Sequence, residues 1–515
     1  MSGPSRRVGV MSDADALLWT IGSDPVLRSP IVAVLRLDRE PSWEEVRRRV
    51  GRLTEIEPRL RARPVPPRFG HGNPAWMVED QLDLGRHLRR VDAHPPGTVR
   101  EVLDLAQVMG TAPFDPAFPL WEALLVGGLE DGAAALIVKV HHSVVDGIAG
   151  MALLIHLLDR ARHPGAGEGP LHGPSEGPVH GPSEGPVSGT AVRAVTGDRE
   201  PAVDGTGADG TGADGTGADG TAPTPGSPSN SRSLGGLPGD VVALAGSAVA
   251  HGLGLAQEVV RSTGHAALHP LASVETVAEH AGSLARLLAP APTPLSPLLR
   301  GRGADRWFGL IDLDAEGLHR AARSYDSTVS EIFVGAVLGG MRRYHHAHGS
   351  TVGHLRALVP ISIRTESDPA GGNRFVPARF VLAADIADPR DRMRHVAEAL
   401  GAWKHNPALG ETGAVTGLLN RLPPRLATLA FGSMLKGGDF VATSVPGAPF
   451  ETFLAGARVT GVTAFAPTSG AAVNVALTTP ASGACVGVAV DRRAVPDGEL
   501  LVDCLRRGFE ELGVR

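Results

Sequence analysis

Apolar residues in this chain fall into short, nearly unbroken runs separated by stretches in which they recur every three or four positions. The runs at 31–37, 133–140, 355–363, 380–384, 473–477 and 486–490 carry few polar interruptions. Such runs predict strands covered on both faces. The helical spacing predicts helices over 43–52, 148–158, 328–344 and 500–512. A further helix start is written at Ser12, where Ser-x-x-Asp precedes Ala16, Leu17, Leu18 and Trp19. Strands and helices alternate in both halves, which predicts an α/β protein of two similar-sized lobes.

The pattern fails between residues 161 and 240. An eight-residue repeat starts at Glu168, recurs from Glu176 and begins again at Glu184, and an Asp-Gly-Thr-Gly-Ala repeat fills much of 204–221. Gly, Pro, Thr and Asp bury too little apolar area to offset the entropy of ordering, so this insert reads as a disordered connector, with His172 and His180 as repeat members. The layout that follows is a first lobe over 1–160, the insert over 161–240, connecting helices and a Pro-rich crossover over 241–300, and a second lobe over 301–515. Residues 241–256 form the longest apolar approach, broken by Ser247 and His251. That is short of the roughly 18 consecutive apolar residues that span a bilayer. It reads as a core or inter-domain helix, with a helix lying on a membrane surface as the other reading.

Composition narrows the picture further. The 515 residues are 42% hydrophobic and 20% charged, close to globular norms. A net charge of −6 without an extended basic block argues against a nucleic-acid partner. Only Cys485 and Cys504 are present, without metal-ligand spacing, which fits a reducing cytoplasmic setting.

Chemistry concentrates in Val138-Lys139-Val140-His141-His142-Ser143-Val144-Val145-Asp146-Gly147, where a predicted strand gives way to a predicted helix. Histidine titrates near neutrality and is the side chain best suited to abstract a proton there. A strand end holds such a base rigidly. A metal pair is disfavoured because adjacent strand residues face opposite ways. Asp146 either orients an imidazole or serves structurally, as a carboxylate paired with an arginine, and Gly147 reads as a tight turn into the helix. A second pair, His345-His346, sits in Arg342-Arg343-Tyr344-His345-His346-Ala347-His348 and reads as a solvated helix end.

With this HHxxxDG pattern the chain resembles the bacterial wax ester synthase/diacylglycerol acyltransferase family, in the superfamily of chloramphenicol acetyltransferase, peptide-synthetase condensation domains and plant acyltransferases. Further stretches carry the resemblance. Met11-Ser12-Asp13-Ala14-Asp15-Ala16 is similar to the opening helix, and Phe114 to Pro119-Leu120-Trp121 to the Pro-Leu-Trp signature. Pro360-Ile361-Ser362-Ile363-Arg364 with Gly372-Asn373-Arg374, then Ser444-Val445-Pro446-Gly447 and Leu454-Ala455-Gly456-Ala457-Arg458, resemble later signatures. The resemblance covers nearly all of the chain outside the insert.

The resemblance implies two chloramphenicol acetyltransferase-like lobes, each a mixed sheet flanked by helices, with an active-site channel between them. It implies that His142 takes the proton of an alcohol as that oxygen attacks an acyl-CoA thioester, with His141 and Asp146 beside it and no acyl-enzyme. Acyl-CoA then enters as a substrate, with no cofactor and no metal. The acceptor is diacylglycerol or a long-chain alcohol, met at a membrane or lipid-droplet surface by a peripherally associated protein. Arg364 is the implied partner of Asp146, and Pro119, Leu120 and Trp121 the implied packing motif. Asn373, Ser444, Gly447, Ser330 and Glu331 are the substrate-side positions. This chain departs from the family at Val329-Ser330-Glu331, Thr443-Ser444 and Leu295-Ser296-Pro297, where the family's Asn-Asp, Ser-Asn and Leu-Asn-Gly stand. Ser330 retains the ability to cap a helix. Two other readings stand beside acyl-CoA chemistry: a carrier-bound donor with a different alcohol or amine, and a lipid-binding paralogue of weak activity.

Overall fold

The computed structural model describes residues 5–67, 72–162, 293–362, 375–404 and 424–515. Most of the 161–240 insert and of the 241–300 connector, with its apolar run, lies outside the described residues, as do Arg364 and Asn373.

The strands in chain order are β1 (Ser5–Val10), β2 (Pro30–Leu37), β3 (Ala62–Val65), β4 (Ala75–Glu79), β5 (Leu88–Asp92), β6 (Trp121–Gly127) and β7 (Ala134–His141). They continue as β8 (Arg306–Leu313), β9 (His354–Ser362), β10 (Phe375–Ala383), β11 (Phe440–Pro446), β12 (Phe453–Leu454), β13 (Ala457–Phe465), β14 (Val473–Thr479) and β15 (Ala484–Asp491). Two mixed six-stranded sheets result, ordered β12-β13-β2-β7-β6-β5 and β10-β9-β11-β14-β15-β8, beside a small β1-β4-β3 sheet. The two large sheets with flanking helices are the two lobes that the alternation predicts.

The lobes do not divide the chain at one point. Strand β13 comes from late in the sequence yet pairs antiparallel with β2, from Val459 opposite Leu37 to Phe465 opposite Val32. The second lobe thus lends the edge of the first lobe's sheet. The apolar run at β15 is buried along its whole length. Ala484, Val486, Val488 and Val490 join a core with helix Val329–Ala347 and helix Gly498–Glu511, while Ala489 packs on the other face with Phe308 and Phe465. Across the two lobes Arg36 of β2 pairs with Asp312 of β8.

The crossover is pinned from within. The Asp439 carboxylate, fully buried, accepts backbone N–H bonds from Leu295, Ser296 and Arg356 at 3.3, 2.9 and 2.7 Å. The Ser296 hydroxyl accepts from Leu298 and Leu299, so its own O–H points to His345 Nε2 at 2.7 Å. His345 Nδ1–H in turn donates to the Met341 carbonyl at 2.7 Å. This corrects the reading of 342–348 as a solvated helix end: His345 is fully buried and ties the crossover to its helix, while His346 and Ala347 face solvent. Burial pushes the His345 imidazole towards its neutral form. No helix among the described residues is long and apolar enough to cross a membrane.

Candidate active site

The histidine run is aimed by the pleat of β7. Successive strand residues face opposite ways, and here Val138 and Val140 line a large cavity while Lys139 and His141 point to the other face. The ladder extends one residue beyond the strand: His141 N–H donates to the Leu120 carbonyl and His142 N–H to the Ser29 carbonyl, both at 2.9 Å. His142 therefore keeps the alternation and lines the same cavity as Val138 and Val140. After it the chain turns, with Val144 N–H bonded to the His141 carbonyl at 2.9 Å.

His141 has a different task. It is 6% exposed, and Trp19 and Phe114 meet its ring edge-on at centroid distances of 5.6 and 5.8 Å. Its Nδ1 accepts the Ser143 backbone N–H at 3.1 Å, which places the proton of the neutral ring on Nε2. Burial, then the neighbouring His142 and Lys139, push the imidazole down to about 3, so it stays neutral. The Phe114 ring also carries the Lys139 ammonium at 4.0 Å, and Lys139 Nζ donates to the Ala112 carbonyl at 3.0 Å. Burial lowers that lysine too.

Asp146 caps the helix Gly147–Leu157, its Oδ1 accepting from Ala149 N–H at 2.8 Å. This is a structural role of a different kind from the arginine pairing expected of it, and Arg364 lies outside the described residues. Gly147 serves close approach rather than a turn: its backbone is not left-handed, and a Cβ there would meet Val445 Cγ2 at 3.0 Å. The loop is held from a third side by Arg59, whose guanidinium donates to the Val144 carbonyl at 3.2 Å and lies 3.8 Å from the buried Asp15 carboxylate. The segment 11–16 is thereby tied to the histidine loop.

The cavity, about 220 Å³, runs from inside the first lobe to strands of the second. Its first-lobe wall is apolar, with Ile31, Ala33, Leu53, Leu136 and Leu153 among the lining residues. Trp121 lines it as well, stacked on His87 at 4.7 Å between centroids, with its indole N–H donated to the Leu60 carbonyl at 2.7 Å. Leu120 and Pro119 are buried behind it, so the Pro-Leu-Trp motif packs within its own lobe and also forms cavity wall. From the second lobe come Thr443 and Ser444 of β11 and Asn474 of β14. On the opposite face of β2 and β13 a small pocket of about 30 Å³ is lined by Val32, Phe465, Arg28 and Arg306, among others. Ala466 and Pro467 border both spaces.

The structure thus gathers His142, Asp146, Gly147, Trp121 and Ser444 on one cavity, with His141 behind. Three other sequence candidates lie elsewhere. Ser330 does not cap its helix; Thr328 does, in a capping box whose reciprocal partner is Glu331, with bonds of 3.2 and 2.8 Å. Neither Ser330 nor Glu331 lines the cavity. Gly447 is fixed by packing, since a Cβ there would sit 2.5 Å from Pro480 N. We expect Gly447→Ala to cost about 1–3 kcal/mol by overpacking, read as a lowered urea midpoint; an unchanged midpoint would show that the 480 turn yields freely. Sequence reasoning missed Lys139, Arg59 and Asn474. Only Asn474 carried a signal, as the one amide in an apolar strand run.

Comparison with known proteins places this geometry. The model of the wax ester synthase/diacylglycerol acyltransferase catalytic domain matches residues 11–333, and that of the WS/DGAT C-terminal domain matches residues 371–513. A Mycobacterium tuberculosis (strain H37Rv) protein, provisionally named a diacylglycerol O-acyltransferase, is 30% identical over 514 residues, covering 99% of this chain and 93% of its own. Another of the same provisional name and strain is 26% identical over 466 residues, covering 89% and 88%. Among solved structures, the wax ester synthase/diacylglycerol acyltransferase from Marinobacter aquaeolei VT8 superposes with a TM-score of 0.57 at 17% identity, over 98% of each chain. The first condensation domain of the calcium-dependent antibiotic synthetase does so with 0.56 at 15% identity, over 99% of this chain and 96% of its own. At these identities the two structures speak for the fold alone.

Proposed function

Because the chain belongs to the wax ester synthase/diacylglycerol acyltransferase family and is an acyltransferase of that type, we propose that it moves a long acyl chain from a CoA thioester to diacylglycerol or a long-chain alcohol, with His142 as general base. One observation carries the reading: His142 continues the cavity-facing alternation of β7 and so stands at the sheet's end, on an apolar cavity. Burying each methylene of a chain in such a space is worth about 0.8 kcal/mol.

In the proposed reaction the acceptor O–H gives its proton to His142 as the oxygen bonds to the thioester carbonyl carbon. The tetrahedral intermediate then breaks its C–S bond. The departing thiolate takes the proton from the imidazolium, leaving an ester, a free thiol and neutral His142. A positioned base of this kind contributes about 10²–10⁴-fold. Holding both substrates at one point supplies proximity without a covalent acyl-enzyme. Burial holds His141 towards its neutral form, which favours this role because that ring adds no positive charge beside the proton acceptor. Ser444, exposed on β11, lines the cavity from the second lobe, which supports a substrate-side role for it.

The test is a product analysis. Purified protein is incubated with labelled palmitoyl-CoA and, in parallel, diacylglycerol or a long-chain alcohol, with an acyl-carrier thioester as an alternative donor. Triacylglycerol or wax ester formed from the CoA donor is the expected outcome. Transfer from the carrier donor alone would replace CoA in the reading, and no ester from either would remove the enzymatic reading.

A further inference from the structure

Two buried polar atoms lie near Pro467, which with Ala466 borders both the large cavity and the small pocket, a shared border termed the neck. Asn474 lines the cavity and is 2% exposed; its amide N–H is fixed on the Pro467 carbonyl at 2.8 Å. That bond settles which end of the amide is oxygen, and Asn474 Oδ1 has no hydrogen-bond partner among the described residues. Thr468 lines the small pocket, is also 2% exposed, and its Oγ1 has none either. Pro467, between them, borders both spaces. A buried polar atom left unpaired costs about 1–3 kcal/mol, and two at one neck call for an explanation.

Asn474 Oδ1 can only accept and so needs a donor, whereas the Thr468 hydroxyl can accept or donate. The substrates of the proposed reaction offer few donors. The acyl chain has none, the thioester and glyceride carbonyls only accept, and the acceptor hydroxyl is committed to His142. The donors nearest the thioester are the two amide N–H groups of the pantetheine arm, which separate the sulfur from the anionic end of the donor. The neck is ordered to suit that arm. Beyond Thr468 the small pocket brings Arg28 and Arg306; Arg306 lies 3.5 Å from Asp491, so the positive charge among its lining residues rests on Arg28. Before Asn474 lies the apolar cavity with His142.

On the reading that a pantetheine thioester is the donor, we propose that Asn474 Oδ1 accepts an amide N–H of its arm at this neck and that the Thr468 hydroxyl hydrogen-bonds an amide group of the same arm, making Asn474 a specificity-determining residue for the donor. The neck then favours an amide-bearing thioester, while the chain and the chemistry lie beyond it.

The experiment compares palmitoyl-CoA with the palmitoyl thioester of a simple alkanethiol, which has the same chain and reacting bond but no amide. Asn474→Ala raises KM for palmitoyl-CoA about tenfold, the loss expected for one neutral hydrogen bond, with kcat held within about twofold. The amide-free donor is unaffected. Thr468→Val gives the same pattern a few-fold strong, without a lower melting temperature, because it removes a hydroxyl that had no partner. If Asn474→Ala fails to fold, Thr468→Val decides alone. Equal losses on both donors, or none on either, overturn the neck assignment while leaving the acyltransferase reading intact. Wild-type protein that transfers from neither thioester overturns both.

Discussion

Replacing His142 by alanine is expected to lower ester formation by about 10²–10⁴-fold while the protein keeps its fold. The backbone N–H of His142 carries the structural bond to Ser29, and alanine retains it. The side chain is only half-buried and faces the cavity, so its removal leaves no closed void in the core. His142→Gln, which keeps bulk and polarity but cannot accept and return a proton at neutral pH, should fall as far. His141→Ala provides the contrast. It removes a ring packed between Trp19 and Phe114 and strands the Ser143 N–H. Its main effect should be on stability, with a smaller loss of turnover through movement of the loop. Rates with palmitoyl-CoA, measured beside melting curves, separate the two. Wild-type turnover in His142→Ala would remove the base assignment, and a larger kinetic loss in His141→Ala would reverse the roles.

The elements that the sequence made legible are those whose periodicity is set locally. β7, β14, β15 and the closing helix are continuous apolar runs or clean stripes, and each lies within a few residues of its predicted place. The pairing of β13 with β2 was invisible for a physical reason. It joins residues more than 400 apart in the chain, and nothing in a strand's own composition names its neighbour. The same holds for single side chains. Lys139 looks like a polar interruption of a buried run, yet it is buried itself, satisfied by Ala112, Glu122 and the Phe114 ring. His345 sits among arginines and histidines that signal solvent, and only its meeting with Ser296 shows otherwise. The cap at Thr328 rather than Ser330 is a shift of two residues, within the usual uncertainty of helix ends. It moves Glu331 from a substrate-side position to a capping box. Signatures shared with a family mark where a site is; they do not separate the residues that touch substrate from those that hold the loop.

His141 gives the molecule a specific weakness to acid. Its imidazole is held down to about 3 in the folded protein, first by burial and then by His142 and Lys139, against about 6.5 in an unfolded chain. Between those values the unfolded chain binds a proton that the folded one refuses. Stability therefore rises with pH across this window and is lost as pH falls from about 6.5 towards 3. One proton corresponds to a slope of about 1.4 kcal/mol per pH step, so the whole window is worth several kcal/mol, on the order of an ordinary domain's margin. His87 and His345 are lowered in the same direction by burial, so the absolute curve is steeper than one residue makes it. The His141 share is isolated by difference. His141→Asn keeps an acceptor near Nδ1 for the Ser143 N–H but has nothing to titrate. Urea unfolding at intervals from pH 7 to pH 4 should show the variant less stable than wild type at neutral pH, with a slope shallower by about one proton. The two curves then converge as pH falls. Parallel curves would mean that His141 takes up its proton in place, and that the neutral wedge behind His142 is not what the fold maintains.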